Sequence, residues 1–345
     1  MKCYNLTYYL LVVFCVVIAS CTTNGMMDDF SDNKGQALVK DAHINFALTF
    51  STSSSTRLVE TAGDGLERER FIDDVHVYTF QKDKFIEEIQ YLVIDGANGD
   101  MSRNIDGKLL GTYDSGVPME FVVIANAGKV GVGPVLMTKD MTKADLYKQL
   151  TFKYDKNQEW SKYIPMWGVG SIQKIKTGGN NFGELNLVRA VAKVNVTVKG
   201  GDGLKNFEIT EIRLHKYNTK GYCAPAGEKE DTPSIPSDSE IASGFLTSGT
   251  LSGKQGNKFE NKFYIPEHKN AEVSDDQKVC LTIQAQVREV EKTYTVQFSA
   301  NEQPYNVLRN HLYVFNITGV DEVTASLTYE VKKWEYITVG VPSFD

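Results

Sequence analysis

Histidine is scarce in this chain and nowhere clustered. None of His43, His76, His215, His268 and His311 has a second histidine or cysteine within helical or strand ligand spacing, which argues against a zinc site or a histidine-based catalyst. Cysteine is as sparse: three of five (Cys3, Cys15, Cys21) fall in the first 21 residues, leaving only Cys223 and Cys280. Their spacing fixes no disulfide geometry, so a pair and two separate buried thiols both stay open. There is no Gly-x-Ser-x-Gly elbow, and Gly178-Gly179 lacks a partner glycine at phosphate-loop spacing. Asp73-Asp74 and Glu87-Glu88 read as solvated charges, and Asp275-Asp276 lacks the alternating carboxylates of a calcium loop. Positive charge is in deficit, with 37 basic against 44 acidic side chains and a formal net charge of −7, which argues against nucleic acid as a partner. No apolar run after Cys21 is long enough to span a bilayer, and Leu10 to Ala19 falls short of the ~20 residues required. These absences predict neither an enzyme nor a cofactor.

What is present begins at the N-terminus. The apolar run Leu10 to Ser20 stands behind a single charge, Lys2, and ends in Ile18-Ala19-Ser20-Cys21. A small residue before a cysteine at that point is a lipobox, so residues 1–20 read as a lipoprotein signal and Cys21 as the acylated residue. Cleavage there also removes Lys2 and moves the charge from −7 to −8. An acidic leader (Asp28, Asp29, Asp32) follows, then Ile44-Asn45-Phe46-Ala47-Leu48-Thr49-Phe50, a strand pattern with four large apolar side chains on one face. The small polar tract Ser51 to Thr56 leads to Arg57.

The rest of the chain is patterned as strands and turns, with 17 Tyr, 17 Phe and 28 Gly. Val75 to Phe80, Gln90 to Ile94 and Glu120 to Ala125 each alternate or run apolar and stop at turn residues. The one helical segment predicted is Thr142 to Leu150, where Thr142 caps and Leu146, Tyr147 and Leu150 share a face. Thr177-Gly178-Gly179-Asn180-Asn181 reads as a turn and marks the expected domain boundary. Beyond it, Leu185 to Val198 reads as one long strand, Phe207 to Leu214 as another, and Pro225 to Ser239 as an exposed mobile loop. Strands resume at Phe259 to Ile265, Val279 to Val287, Tyr294 to Phe298 and His311 to Ile317, and Leu327 to Val341 closes the chain. Two strand-rich halves predict an all-β protein of two β-sandwiches in series, with one short helix in the first.

The lipobox, the early strand followed by Ser-Thr-Arg57, Phe121 to Gly128 and Ile164-Pro165-Met166-Trp167-Gly168 occur in an order that resembles the fimbrillins, the shaft subunits of type V fimbriae. Leu187 to Val194, Arg309-Asn310-His311 and Val331 to Tyr336 extend the resemblance over nearly the whole chain. The resemblance implies two transthyretin-like sandwiches, with residues 1–20 as signal, 21–57 as acylated propeptide, and 58–182 and 183–345 as the two domains. It implies an outer-membrane lipoprotein precursor, cut by an arginine-specific protease after its first strand and then assembled into extracellular fimbriae. Arg57 matches the cut, with Arg68 and Arg70 as competitors and Arg103 as a remote one. The strand Ile44, Phe46, Leu48, Phe50 would be the one removed. The groove left behind would be filled by the C-terminal strand of the next identical subunit, for which Ile337, Val339 and Val341 offer one apolar face. Leu327 to Trp334 is expected to stay in its own domain. Minor fimbrial subunits are further implied partners. A tip adhesin, an anchor that keeps its lipid and a monomeric surface-binding lipoprotein are the competing functions.

Overall fold

The computed structural model describes residues 37–50, 65–200, 204–252, 257–300, 303–320 and 325–333. The first sheet draws all its strands from the chain before position 190: β1 (Ala42–Phe50), β2 (Val75–Gln81), β3 (Lys84–Glu88), β4 (Gln90–Asp95), β5 (Ser102–Leu109), β6 (Met119–Ala125), β7 (Met166–Ile172) and β8 (Gly178–Arg189). Their order is β3-β2-β6-β7-β8-β1-β5-β4. Strands β7 and β8 pair only at Met166–Arg189 and Trp167–Val188. Beyond those two pairs the sheet folds over, so that β3-β2-β6-β7 faces β8-β1-β5-β4 across a shared core. The layers approach closely at Gly168, where a Cβ would sit 2.3 Å from the Leu185 side chain and 2.6 Å from the Asn186 carbonyl oxygen.

Strands β2 and β6 are buried on both faces. Val77, Met119, Phe121, Val123 and Ala125 point into the first core, while Tyr78, Phe80, Val122 and Ile124 point into a second. That explains why Phe121 to Ala125 is apolar without alternation. The second core continues through the helix α1 (Lys143–Gln149), Trp160 and Trp167 into the chain beyond position 190. The longer strands there are β9 (Ala192–Val198), β10 (Phe207–His215), β11 (Phe245–Thr247), β12 (Lys258–Ile265), β13 (Cys280–Val287), β14 (Val290–Gln297), β15 (His311–Val320) and β16 (Ala325–Lys333). They form two four-stranded sheets, β12-β9-β15-β16 and β11-β10-β13-β14. The fold is therefore mostly β, with one α-helix among the described residues. The helix begins as its sequence predicts: Asp145 donates its backbone N–H to Thr142 Oγ1 at 3.3 Å, and Thr142 donates its own to Asp145 Oδ2 at 3.0 Å.

Three local expectations need correction. The glycine segment 178–181 is not a turn but the first part of β8, because β1 lies beside it and supplies its ladder partners. Leu185 to Val198 is two strands, interrupted at Ala190-Val191 where the chain leaves the first sheet for the second. Pro225 to Ser239 is irregular but anchored: Pro233, Ser234 and Pro236 are buried, and Ser234 donates its backbone N–H to Glu267 Oε2 at 3.2 Å. Cys223 and Cys280 are both free thiols, and burial pushes the Cys223 thiol up to about 12.

Charges buried in the second half cluster around Arg309. Its guanidinium meets Glu267 at 2.6 Å with both side chains out of solvent, and it also donates to the carbonyls of Tyr222 and Cys223. His268, next along the chain, is 2% exposed and exchanges backbone hydrogen bonds with Val307 at 2.9 Å. Burial drives its imidazole down to about 4. Below the ordinary value near 6.5 the unfolded chain takes up a proton that the folded chain refuses. Stability is therefore full above about pH 6.5 and is lost as pH falls toward 4, by about 3 kcal/mol from this residue. Urea unfolding midpoints should fall over that window, and a His268→Gln variant should lose this part of the slope; an unchanged slope would contradict the assignment.

Candidate functional site

The candidate site is the slot that β1 occupies. Along β1 the burial alternates strictly, with Ala42, Ile44, Phe46, Leu48 and Phe50 all at most 1% exposed. His43, Asn45, Ala47 and Thr49 point away from the core. On one side β1 runs parallel to β8, in register from Gly178–Ala42 to Leu187–Phe50, with a bulge between Asn181 and Glu184. On the other it runs antiparallel to β5, from Ala42–Leu109 to Thr49–Ser102. It is thus an interior strand of its layer, hydrogen-bonded along both edges, although it comes from the start of the described chain.

Side chains seal the slot. The Phe46 ring lies 4.4 Å from that of Phe182, which in turn stacks on Phe121 at 4.5 Å. Phe50 receives the Arg189 guanidinium over its face at 6.0 Å. Asn45 Nδ2 donates to Asp106 Oδ1 at 2.8 Å across to β5, and Asn180 Nδ2 donates to the His43 carbonyl at 3.2 Å across to β8. Ala42 is a fifth inward residue that the sequence reading left out; it continues the alternation two positions before Ile44.

The described chain resumes at Gly65 and forms a tight turn, Glu67–Arg70. Glu69 is fully buried there. Its Oε1 accepts from Lys193 Nζ at 2.9 Å and from the Tyr264 hydroxyl at 2.5 Å, while its Oε2 accepts the Leu66 backbone N–H at 2.7 Å. Nothing in the sequence around Glu69 marked it out. The available signal was Lys193, a charge inside an otherwise apolar strand. Of the competing arginines, Arg68 pairs with Glu159 at 3.3 Å, Arg70 donates to the Gly99 carbonyl at 2.6 Å, and Arg103 lies in β5 opposite Leu48. The structure brings Ile44, Phe46, Leu48 and Phe50 together in one buried face. Cys21, Arg57, Ile337, Val339 and Val341 lie outside the described residues.

The seam can be tested in the uncut protein. Phe46→Ala should cost about 3–5 kcal/mol of stability in chemical denaturation. Asn45→Ala, on the outer face, should cost under about 1 kcal/mol. Equal costs would mean that the inward face does not carry the strand.

Comparison with known proteins agrees with this architecture. The tip fimbrial protein Mfa3 of Porphyromonas gingivalis is 14% identical, with a TM-score of 0.52 over 85% of this chain and 100% of that one. A fimbrilin (fimA) of the same organism is 16% identical, with a TM-score of 0.54 over 87% and 99%. A fimbrial assembly protein of Parabacteroides distasonis is 14% identical, with a TM-score of 0.51 over 84% and 95%. At such identities the likeness speaks for the fold alone. No curated protein matched. The model of the fimbrillin-A associated anchor proteins Mfa1 and Mfa2 matches residues 39–340, nearly the whole described fold, and the chain belongs to that family.

Proposed function

We propose that this protein is a structural subunit of cell-surface fimbriae that polymerises by strand exchange once β1 has been removed. The observation that carries the reading is the position of β1: interior to its layer, apolar on one face, and followed by residues 51–64, which include Arg57. Burying Ile44, Phe46, Leu48 and Phe50 contributes ~6–12 kcal/mol of gross apolar burial, at ~1.5–3 kcal/mol each. A domain's whole stability is about 5–15 kcal/mol. A layer stripped of β1 would also expose the edges of β8 and β5 along their full register. Such a subunit must be refilled to persist, and an alternating strand from an identical subunit fits the vacancy.

In this reading the lipid on Cys21 delivers the precursor to the outer membrane, and an arginine-specific protease cuts after Arg57. The mature chain, from residue 58 onward, then joins extracellular fimbriae with identical and minor subunits. The strand donated is Ile337, Val339 and Val341. Over the described residues, β16 is paired throughout with β15, from Val320–Ala325 to His311–Lys333. Those residues are committed to their own sheet, and in this reading donation falls to the segment that follows them in sequence.

The family description favours a second reading, an anchor subunit that keeps its lipid on Cys21 and with it β1, so that its own slot stays filled. Assembly separates the two. Cleaved protein with an intact C-terminus should form SDS-resistant ladders, and protein truncated after Trp334 should not. Ladders from the truncated protein would overturn the donated-strand role, and a cleaved full-length chain that stays monomeric would favour the anchor.

A further inference from the structure

We propose that the turn spanning residues 66–73 is a built-in proteolytic stop, which withholds Arg68 and Arg70 from arginine-specific proteases and confines processing to the chain before it. The inference rests on the maturation reading for its purpose, though its geometry stands alone. Arg68 is 44% exposed in its side chain, so by accessibility of the arginine it would be cut. What protects it is the backbone. A protease takes its substrate as an extended segment on both sides of the scissile bond, so susceptibility follows the burial and hydrogen bonding of that backbone.

Every bond that would have to be presented is held. Glu69 donates its backbone N–H to the Leu66 carbonyl at 3.0 Å, and Phe71 donates to the Arg68 carbonyl at 3.2 Å. The residue that follows the Arg68 bond is Glu69 itself, whose carboxylate is fixed in the interior by Lys193 and Tyr264. The residue that follows the Arg70 bond is Phe71. Its carbonyl accepts from Asn126 Nδ2 at 2.8 Å, and its ring faces the Lys162 ammonium at 5.7 Å. Next, Ile72 donates its N–H to Asn98 Oδ1 at 2.7 Å, and Asp73 donates to Asn126 Oδ1 at 2.8 Å. Arg70 is tied down in turn by its hydrogen bond to the Gly99 carbonyl. At Gly99 the approach is so close that a Cβ would lie 2.7 Å from Glu67 and 2.9 Å from Phe71. Straightening the segment for cleavage would mean withdrawing Glu69 from Lys193, leaving an ammonium buried without its carboxylate.

Functionally, the stop protects the connection that must survive maturation. A cut after Arg70 would sever Glu69, and with it the link to Lys193 of β9, from β2; a cut after Arg68 would make Glu69 the new N-terminus and place a terminal ammonium beside that buried pair. Cleavage upstream would leave that link intact.

The test is timed trypsin digestion of the folded full-length protein, with new N-termini identified by mass spectrometry, in wild type, Asn98→Ala and Glu69→Gln. Asn98 is exposed, so its variant should fold, which a thermal melt verifies. Cleavage of a transiently opened segment follows the population of the open form. Losing the Ile72 hydrogen bond should therefore raise cutting after Arg68 and Arg70 by roughly five- to tenfold, with a larger rise for Glu69→Gln. Wild type should give no terminus at Glu69 or Phe71 while the fold is intact. Wild-type cutting at either bond, or a folded Asn98→Ala protein cut no faster than wild type, would overturn the stop. A wild-type digest with no terminus at Leu58 would instead overturn the maturation reading and leave the stop standing on its own result.

Discussion

The constraint on which this structure depends is that one layer of its first sandwich is completed by a strand from the very start of the described fold. Strand β1 cannot be treated as a terminal addition, because β8 binds it on one side and β5 on the other. Take it away and β5-β4 loses its connection to the rest of the layer, while Phe182 and Phe121 lose their aromatic neighbour Phe46. Its slot suits the proposed exchange, since a replacement need only match an alternating pattern and two ladders, not a unique set of polar contacts.

The second core is held without β1. It runs from the outer faces of β2 and β6 through α1 into the two C-terminal sheets and includes no residue of β1. Buried charges tie the two halves together through Glu69 to Lys193 and Arg189 to Asn310 at 3.0 Å, and Arg309 to Glu267 fastens the second half itself. Asn126, in the left-handed region with φ 61°, ties the end of β6 to Phe71, Asp73 and Ile164. Of these polar positions, Asn126, Arg189, Lys193, Arg309 and Asn310 fall within the sequence segments that carried the family resemblance, whereas Glu69 and Glu267 lie outside them. They are the points where burying a charge or an amide demands specific partners, so the chain has little freedom there.

How much of this was legible in the sequence depends on the range of the interaction. The inward face of β1, the cap at Thr142 and the strand at Glu120 to Ala125 follow from local period and turn chemistry, and each stands where its pattern put it. The pairing of β1 with β8 did not follow, since Gly178-Gly179 has the local signature of a turn and becomes strand only because a distant segment lies beside it. Likewise the Glu69–Lys193 pair joins residues 124 positions apart, a separation over which no periodic pattern carries information. The resemblance supplied the idea of a removable strand, and the structure contributes its setting: five inward side chains, a parallel neighbour and an antiparallel one.

The most direct measurement is mass spectrometry of the N-terminus of this protein in intact filaments. If β1 is a temporary occupant of its slot, the subunits begin at Leu58 and peptides covering Ala42 to Phe50 are absent. Subunits that begin at an acylated Cys21 and retain Ala42 to Phe50 would contradict it.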